Sequence, residues 1–131
     1  MEFNMNKDLI DLQRNSKATC VIIKTEEYNK LSPVVSMKAS VSNKFLLSGD
    51  KPPFADKINE KSVKNSICYF VITDIDEVSI DMQERFVGLV KDRELNGYSL
   101  PDNCVIVFTV KDKSSIKNIS SNLYHFAVIG F

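Results

Sequence analysis

The sequence has little of what long linkers, membrane spans or secretion signals require. Its 131 residues include 4 glycines and 4 prolines, so we expect no long flexible linker. No apolar run approaches the roughly 20 residues that a membrane-spanning helix needs. Residues 1–8 also lack the charged and then apolar segments of a signal peptide. The length and these shortages predict one domain over residues 1–131, with no membrane-bound part.

An excess of either charge is also missing. The 17 Lys and Arg residues balance the 17 Asp and Glu residues, and no basic run interrupts the sequence. Proteins that bind nucleic acid or anionic membranes carry a basic surface that draws them to phosphate groups. We therefore expect neither nucleic acid nor a membrane among the partners.

The cysteines are too few and too widely spaced for a metal cluster. Cys20, Cys68 and Cys104 each lie within a run of apolar residues, and no two have the C-x₂₋₄-C spacing of zinc sites. Such thiols are typical of a protein core, where cysteine packs as a small apolar residue. The pattern indicates a reducing compartment, and we expect the cytoplasm.

Apolar runs that alternate with helical patterns favour an α/β domain with a mostly parallel sheet. Nearly continuous apolar runs predict buried strands, and helical periodicity or polar faces predict helices between them. We predict five strands, at 18–24, 34–41, 67–73, 104–110 and 126–129. We predict helices at 5–14, within an N-terminal helical extension over 1–17, and at 55–65 and 79–91, with a turn of helix at 26–31 and a loop at 47–53.

A tight hairpin is predicted before the fourth of these strands. Asn96 and Gly97 both tolerate positive φ, and they separate two short extended segments. Tyr98 at this hairpin is the aromatic residue that we expect to be exposed and used for contact. Asn96, Gly97 and Tyr98 are therefore the candidate interaction residues.

Residues 67–110 resemble the part of AAA+ ATPases that runs from the Walker B strand to the sensor 1 strand. An apolar strand is followed by the sequence DIDEV at 74–78, a helix with QERF at 83–86, and the hairpin with LPDN at 100–103. Residues 119–129 are similar to that family's "LspaLldRF" segment, and the likeness is closest to the MoxR-like and midasin-like branch. The resemblance implies a three-layer sandwich with a five-stranded sheet in the P-loop NTPase order 5-1-4-3-2, here without a lid domain.

The departures from that family fall on its catalytic positions. A phosphate-binding loop needs glycines and a lysine after the first strand, but residues 25–30 read TEEYNK. Ile75 stands where the resemblance places the water-activating glutamate, and Val110 or Lys111 stands in place of the sensor 1 asparagine. His125 replaces the arginine near the chain end. We therefore expect no ATP hydrolysis, and a non-catalytic AAA+-like domain that acts as a protein-interaction or regulatory module without a cofactor, with another protein or a second copy of the chain as its partner.

Asp74, Asp76 and Glu77 carry the alternative function. Asp74 and Asp76 are two residues apart at a strand end, with Glu77 adjacent, and carboxylates in such a group suit Mg²⁺. A metal-dependent phosphoryl-transfer enzyme or hydrolase is therefore the alternative, with Mg²⁺ as its cofactor. A structural alternative is that these acids cap the following helix. A third class is a subdomain whose missing parts lie on another polypeptide.

Overall fold

The computed structural model describes residues 20–30, 35–40, 68–95, 98–100 and 104–130. The helices predicted at 5–14 and 55–65, the extension over 1–17 and the loop at 47–53 lie outside these residues. Along the described chain, no helix is long and apolar enough to cross a membrane.

A parallel sheet forms the centre of the domain. Its strands are β1 (Cys20–Lys24), β2 (Val35–Lys38), β3 (Cys68–Thr73), β6 (Cys104–Val110) and β7 (Ala127–Ile129). They lie in the order β2-β3-β6-β1-β7, and every neighbouring pair is parallel. The predicted α/β class and parallel sheet are confirmed, and each strand of this sheet falls within a predicted one. The strand predicted at 34–41 is wrong at its end, because Ala39 and Ser40, directly after β2, are helical.

The sheet separates two clusters of buried side chains, because alternate residues of a strand face opposite sides. One cluster joins Ile22, Phe70, Ile106 and other strand residues to side chains of the connecting segments. In the other, every buried residue that the structure describes belongs to a strand: Val21, Ile23, Tyr69, Val71, Val105 and Val107. Burial of strands on both faces accounts for their nearly continuous apolar sequences.

The segments at the carboxyl side of the strands are short. Three 3₁₀ helices follow β1, β3 and β6, at Thr25–Lys30, Ile75–Glu77 and Lys113–Asn118. Among the described residues after β3, the α-helices are α1 (Ile80–Glu84), α2 (Val87–Asp92) and α3 (Ser121–Tyr124). Strands β4 (Glu94–Leu95) and β5 (Tyr98–Ser99) pair antiparallel, with Leu95 opposite Tyr98. This pairing confirms the predicted hairpin, although Asn96 and Gly97 lie outside the described residues.

The prediction of one continuous helix over 79–91 is wrong at its centre. The helix begins as expected, because the Ser79 side chain accepts a hydrogen bond from the Met82 N–H at 3.3 Å. The N–H groups of Arg85 and Phe86 then bond to carbonyls three residues back, those of Met82 and Gln83. Bonds of this 3₁₀ type interrupt the α-helical ladder and separate α1 from α2.

Gln83 ties the end of α1 to the segment before α3. Its side chain is fully buried, and its amide nitrogen donates to the carbonyl oxygens of Val78 at 3.1 Å and Asn118 at 2.9 Å. Its amide oxygen accepts the N–H of Ser120 at 2.6 Å. One side chain therefore satisfies three backbone groups. Two of the three hydrogen bonds join residues that are 35 or more positions apart in the sequence.

Candidate functional site

Polar side chains converge at the carboxyl edge of the parallel sheet. Thr25 directly follows β1, Asp74 directly follows β3, and Thr109 is the penultimate residue of β6. Strand β6 lies between β1 and β3, so these three residues are neighbours across the sheet. Ligands of open α/β sheets bind outside this edge, which makes it the place to look for a site.

The Thr25 hydroxyl lies at the centre of this group. Its oxygen is 3.0 Å from the Val110 carbonyl oxygen, 3.1 Å from the Thr109 hydroxyl oxygen and 3.4 Å from Asp74 Oδ1. Thr109 is fully buried, and its hydroxyl accepts the backbone N–H of Asp74 at 3.0 Å. The polar groups at the ends of β1, β3 and β6 are therefore bonded to one another.

Asp74 adopts a left-handed backbone conformation, with φ 60° and ψ 43°. Aspartate tolerates this region better than most residues, although it remains an uncommon conformation. The carboxylate makes no capping hydrogen bond to the 3₁₀ helix that follows. Its partner is Thr25, so the capping role considered for this residue from the sequence does not apply to Asp74.

Asp76 and Glu77 lie close to Asp74 in sequence but do not share its hydrogen bond to Thr25. Asp76 Oδ2 accepts the backbone N–H of Lys111 at 3.5 Å, while Oδ1 is buried without a hydrogen-bond partner. Glu77 is exposed, and Asp74 and Glu77 both line a cavity at this edge of the sheet. Within the described ranges, no three His, Cys, Asp or Glu side chains form a group that could hold a metal ion.

The turn after β1 carries two neighbouring carboxylates. Glu26 and Glu27 lie in the first turn of the 3₁₀ helix Thr25–Lys30. Glu26 forms an exposed ion pair with Lys24 at 4.0 Å. Exposed pairs of this kind contribute about 0–1 kcal/mol, so the pair leaves the local field acidic without adding much stability.

The remaining candidate residues are those of the hairpin and His125. Tyr98 belongs to β5, and its side chain lies outside the described part of the structure, as do Asn96 and Gly97. His125 is exposed at the end of α3, and its ring meets that of Phe126 edge-on at a centroid distance of 5.1 Å. This placement gives His125 no contact with the Thr25–Asp74–Thr109 group.

The thiols have the environment expected of core residues. The thiols of Cys20 and Cys104 are buried. Burial raises the pKa of Cys20 to about 12, and its Sγ lies 3.6 Å from the carbonyl oxygen of Phe126. Because the thiolate is the reactive form, a thiol with this pKa is a poor nucleophile.

Sequence reasoning missed the hydroxyl of Thr109. It stands in an apolar strand, where a threonine reads as a β-branched core residue. The usable signal was positional: parallel neighbours place the residues at their carboxyl ends side by side, and Thr25, Asp74 and Thr109 all occupy such positions.

The chain matches no protein-family model, no curated protein and no solved structure. Its function is therefore argued from the geometry of this edge and from the residues that occupy it.

Proposed function

We propose that the chain is a non-catalytic AAA+-like domain that acts as a protein-interaction or regulatory module. In this proposal the sheet is the core of a P-loop-type three-layer fold from which the nucleotide chemistry has been lost. The partner is another protein or a second copy of the chain.

Strand order supports the fold part of the proposal. Numbered along the chain without the hairpin, the strands of the described sheet run 5-1-4-3-2. All of them are parallel, and the hairpin β4–β5 lies between α2 and the fourth strand of the sheet. This is the arrangement that the AAA+ resemblance implies.

The loss of nucleotide chemistry in this proposal is argued from the hydrogen bonds at the carboxyl edge of the sheet. A triphosphate is held by backbone N–H groups of a glycine-rich loop and by a lysine. Here the hydroxyl of Thr25, directly after β1, lies within hydrogen-bonding distance of oxygens of Thr109, Val110 and Asp74. The next two residues of the chain are glutamates. The polar groups of Thr25, Thr109 and Asp74 are thus bonded to one another, and the nearby carboxylates repel phosphate.

Two buried residues support the loss of hydrolysis. Ile75 is fully buried in the core, at the position of the water-activating glutamate in the resemblance. Val110, at the end of β6, is also fully buried in the same cluster. Apolar side chains packed into the core offer no group to activate or orient a water molecule.

The hairpin is the contact surface in this proposal. Glu94 and Ser99, opposite each other on β4 and β5, are exposed, so the hairpin stands at the surface. We assign contact to its tip, at Asn96, Gly97 and Tyr98. The buried thiols of Cys20 and Cys104 support a reducing compartment such as the cytoplasm.

Light scattering after size exclusion tests the contact with this chain alone. We expect the mass of a dimer at tens of micromolar chain, and Tyr98→Ser should raise the dissociation constant at least tenfold, about 1.4 kcal/mol. Tyr124→Ser, which removes an aromatic side chain that is 42% exposed on α3, is the matched control and should leave the mass unchanged. A monomer at every concentration, or equal effects of the two variants, would contradict contact between two copies of the chain through the hairpin.

A metal-dependent phosphoryl-transfer or hydrolytic enzyme remains the alternative, with Mg²⁺ at Asp74, Asp76 and Glu77. The observation that favours it is the buried, unpartnered Oδ1 of Asp76. The same light-scattering samples can be melted with and without 10 mM Mg²⁺. A rise in melting temperature that Asp76→Asn removes would support this alternative against the interaction module.

A further inference from the structure

A cavity of about 190 Å³ opens beside the carboxyl ends of β2 and β3. The described residues that line it are Lys38, Ala39, Ser40, Asp74, Glu77 and Val78. Lys38 ends β2 opposite Thr73 on β3, and Asp74 comes directly after Thr73. The register of two parallel strands therefore brings an ammonium group and a carboxylate to one cavity.

The charged groups of this cavity do not neutralise one another. Among the described residues, Lys38 forms no ion pair with Asp74 or Glu77. The Asp74 carboxylate contacts Thr25 through Oδ1 at 3.4 Å. Charges of opposite sign thus line one space of several water volumes without meeting.

The lining favours a ligand that carries both signs of charge. Among the described lining residues, one positive and two negative side chains give a net charge of −1. A cation alone would leave Lys38 without a partner, and an anion alone would face two carboxylates. A molecule with an ammonium group and a carboxylate satisfies both ends, and the excess negative charge favours a second cationic group on it.

We propose that this cavity binds a free amino acid, with the ligand's ammonium group at Asp74 and Glu77 and its carboxylate at Lys38. Ser40 supplies a hydroxyl at the same rim. The carboxyl edge of a parallel sheet is where α/β domains hold small ligands. The inference goes beyond the proposed protein contact and does not depend on it, because the cavity lies at β2 and β3 rather than at the hairpin.

Charge predicts a ranking that separates this site from unspecific binding. In calorimetric titrations of the full chain, L-lysine should bind more tightly than L-alanine, and L-alanine more tightly than L-glutamate. Butylamine and butyrate, each with one of the two charges, should bind at least tenfold more weakly than L-lysine, because each loses one charge-assisted hydrogen-bonding end.

Two exposed residues permit variants that leave the fold intact. Lys38→Met and Glu77→Gln should each weaken L-lysine binding about tenfold, which corresponds to the loss of one charge-assisted interaction. Lys91→Met and Asp92→Asn, at exposed positions on α2, are the matched controls and should leave the affinity unchanged.

Absence of saturable binding by all three amino acids at 10 mM would overturn the proposal. So would L-lysine binding that Lys38→Met and Glu77→Gln leave intact, or butylamine binding as tight as that of L-lysine. None of these results bears on the mass measured by light scattering, so the failure of this site and the failure of the protein contact remain distinguishable.

Discussion

Replacing Gln83 with methionine should lower the free energy of unfolding by about 2–4 kcal/mol. Methionine keeps the length of the side chain but loses both hydrogen-bonding groups, and the site is fully buried. The buried N–H of Ser120 would lose its acceptor, and the carbonyls of Val78 and Asn118 would lose a donor. Part of the cost at the two carbonyls is offset by water, because they are only partly buried.

Urea denaturation followed by circular dichroism measures this loss as a lower midpoint at an unchanged slope. Lys91→Met, at an exposed position of α2, is the control for introducing methionine and should shift the free energy of unfolding by less than about 0.5 kcal/mol. In Gln83→Glu the two carbonyls require a protonated acid, so burial should hold the folded-state pKa above that of the unfolded chain. Its stability should then be greatest at acidic pH and fall as pH rises above about 4.3, the ordinary pKa of glutamate. A Gln83→Met variant as stable as the parent would show that the amide does not hold α1 to the segment before α3.

Replacing Thr109 with valine should lower the free energy of unfolding by about 1–3 kcal/mol. The two side chains are nearly equal in volume, so the packing of β6 is kept. The backbone N–H of Asp74 would lose its acceptor, and the Thr25 hydroxyl would lose one of its three neighbouring oxygens. The variant tests whether the polar groups of the carboxyl edge depend on one another.

Thr73→Val is the matched control for this prediction. Thr73 is buried at the end of the neighbouring strand β3 and takes no part in the hydrogen bonds that join Thr25, Asp74 and Thr109. The same exchange at position 73 should therefore change the free energy of unfolding by less than about 0.5 kcal/mol. Equal losses at positions 73 and 109, again from urea denaturation, would mean that the hydroxyl of Thr109 has no special role at this edge.

The strands could be predicted from the sequence because burial on both faces of a sheet requires nearly continuous apolar runs. Cys20–Lys24, Cys68–Thr73 and Cys104–Val110 are unbroken or nearly unbroken apolar runs, and each falls where the pattern indicates a strand. The hairpin was predictable for another local reason, since Asn96-Gly97 is a strong turn signal. Both kinds of signal depend on neighbouring residues only.

The connections could not be predicted as well, because their geometry depends on residues far apart in sequence. Gln83 reads as a polar residue on a helix surface, yet its bonds to Asn118 and Ser120 bury it. The helical period over 79–91 gave no warning of the two short-range hydrogen bonds that separate α1 from α2. Tertiary contacts overrode the local pattern at these positions.

The candidate site was predictable in place but not in detail. Asp74 could be identified as a carboxylate at the end of a strand. From the sequence we predicted that Asp74, Asp76 and Glu77 could together form a Mg²⁺ site. In the structure its side-chain neighbour is Thr25, while Asp76 accepts from Lys111. The left-handed backbone conformation of Asp74 turns the chain between Asp74 and Asp76, and the local sequence did not predict that turn.

The measurement that most directly tests the proposed loss of nucleotide chemistry is an NMR titration of the isotope-labelled chain with Mg²⁺ and ATP. The backbone amide signals of Thr25, Glu26 and Asp74 report on the edge where a nucleotide would sit. We expect no saturable change in these signals at up to 5 mM ATP, because the polar groups are bonded to one another and glutamates follow β1. Saturable shifts at these three residues that disappear in Asp74→Asn would contradict the account.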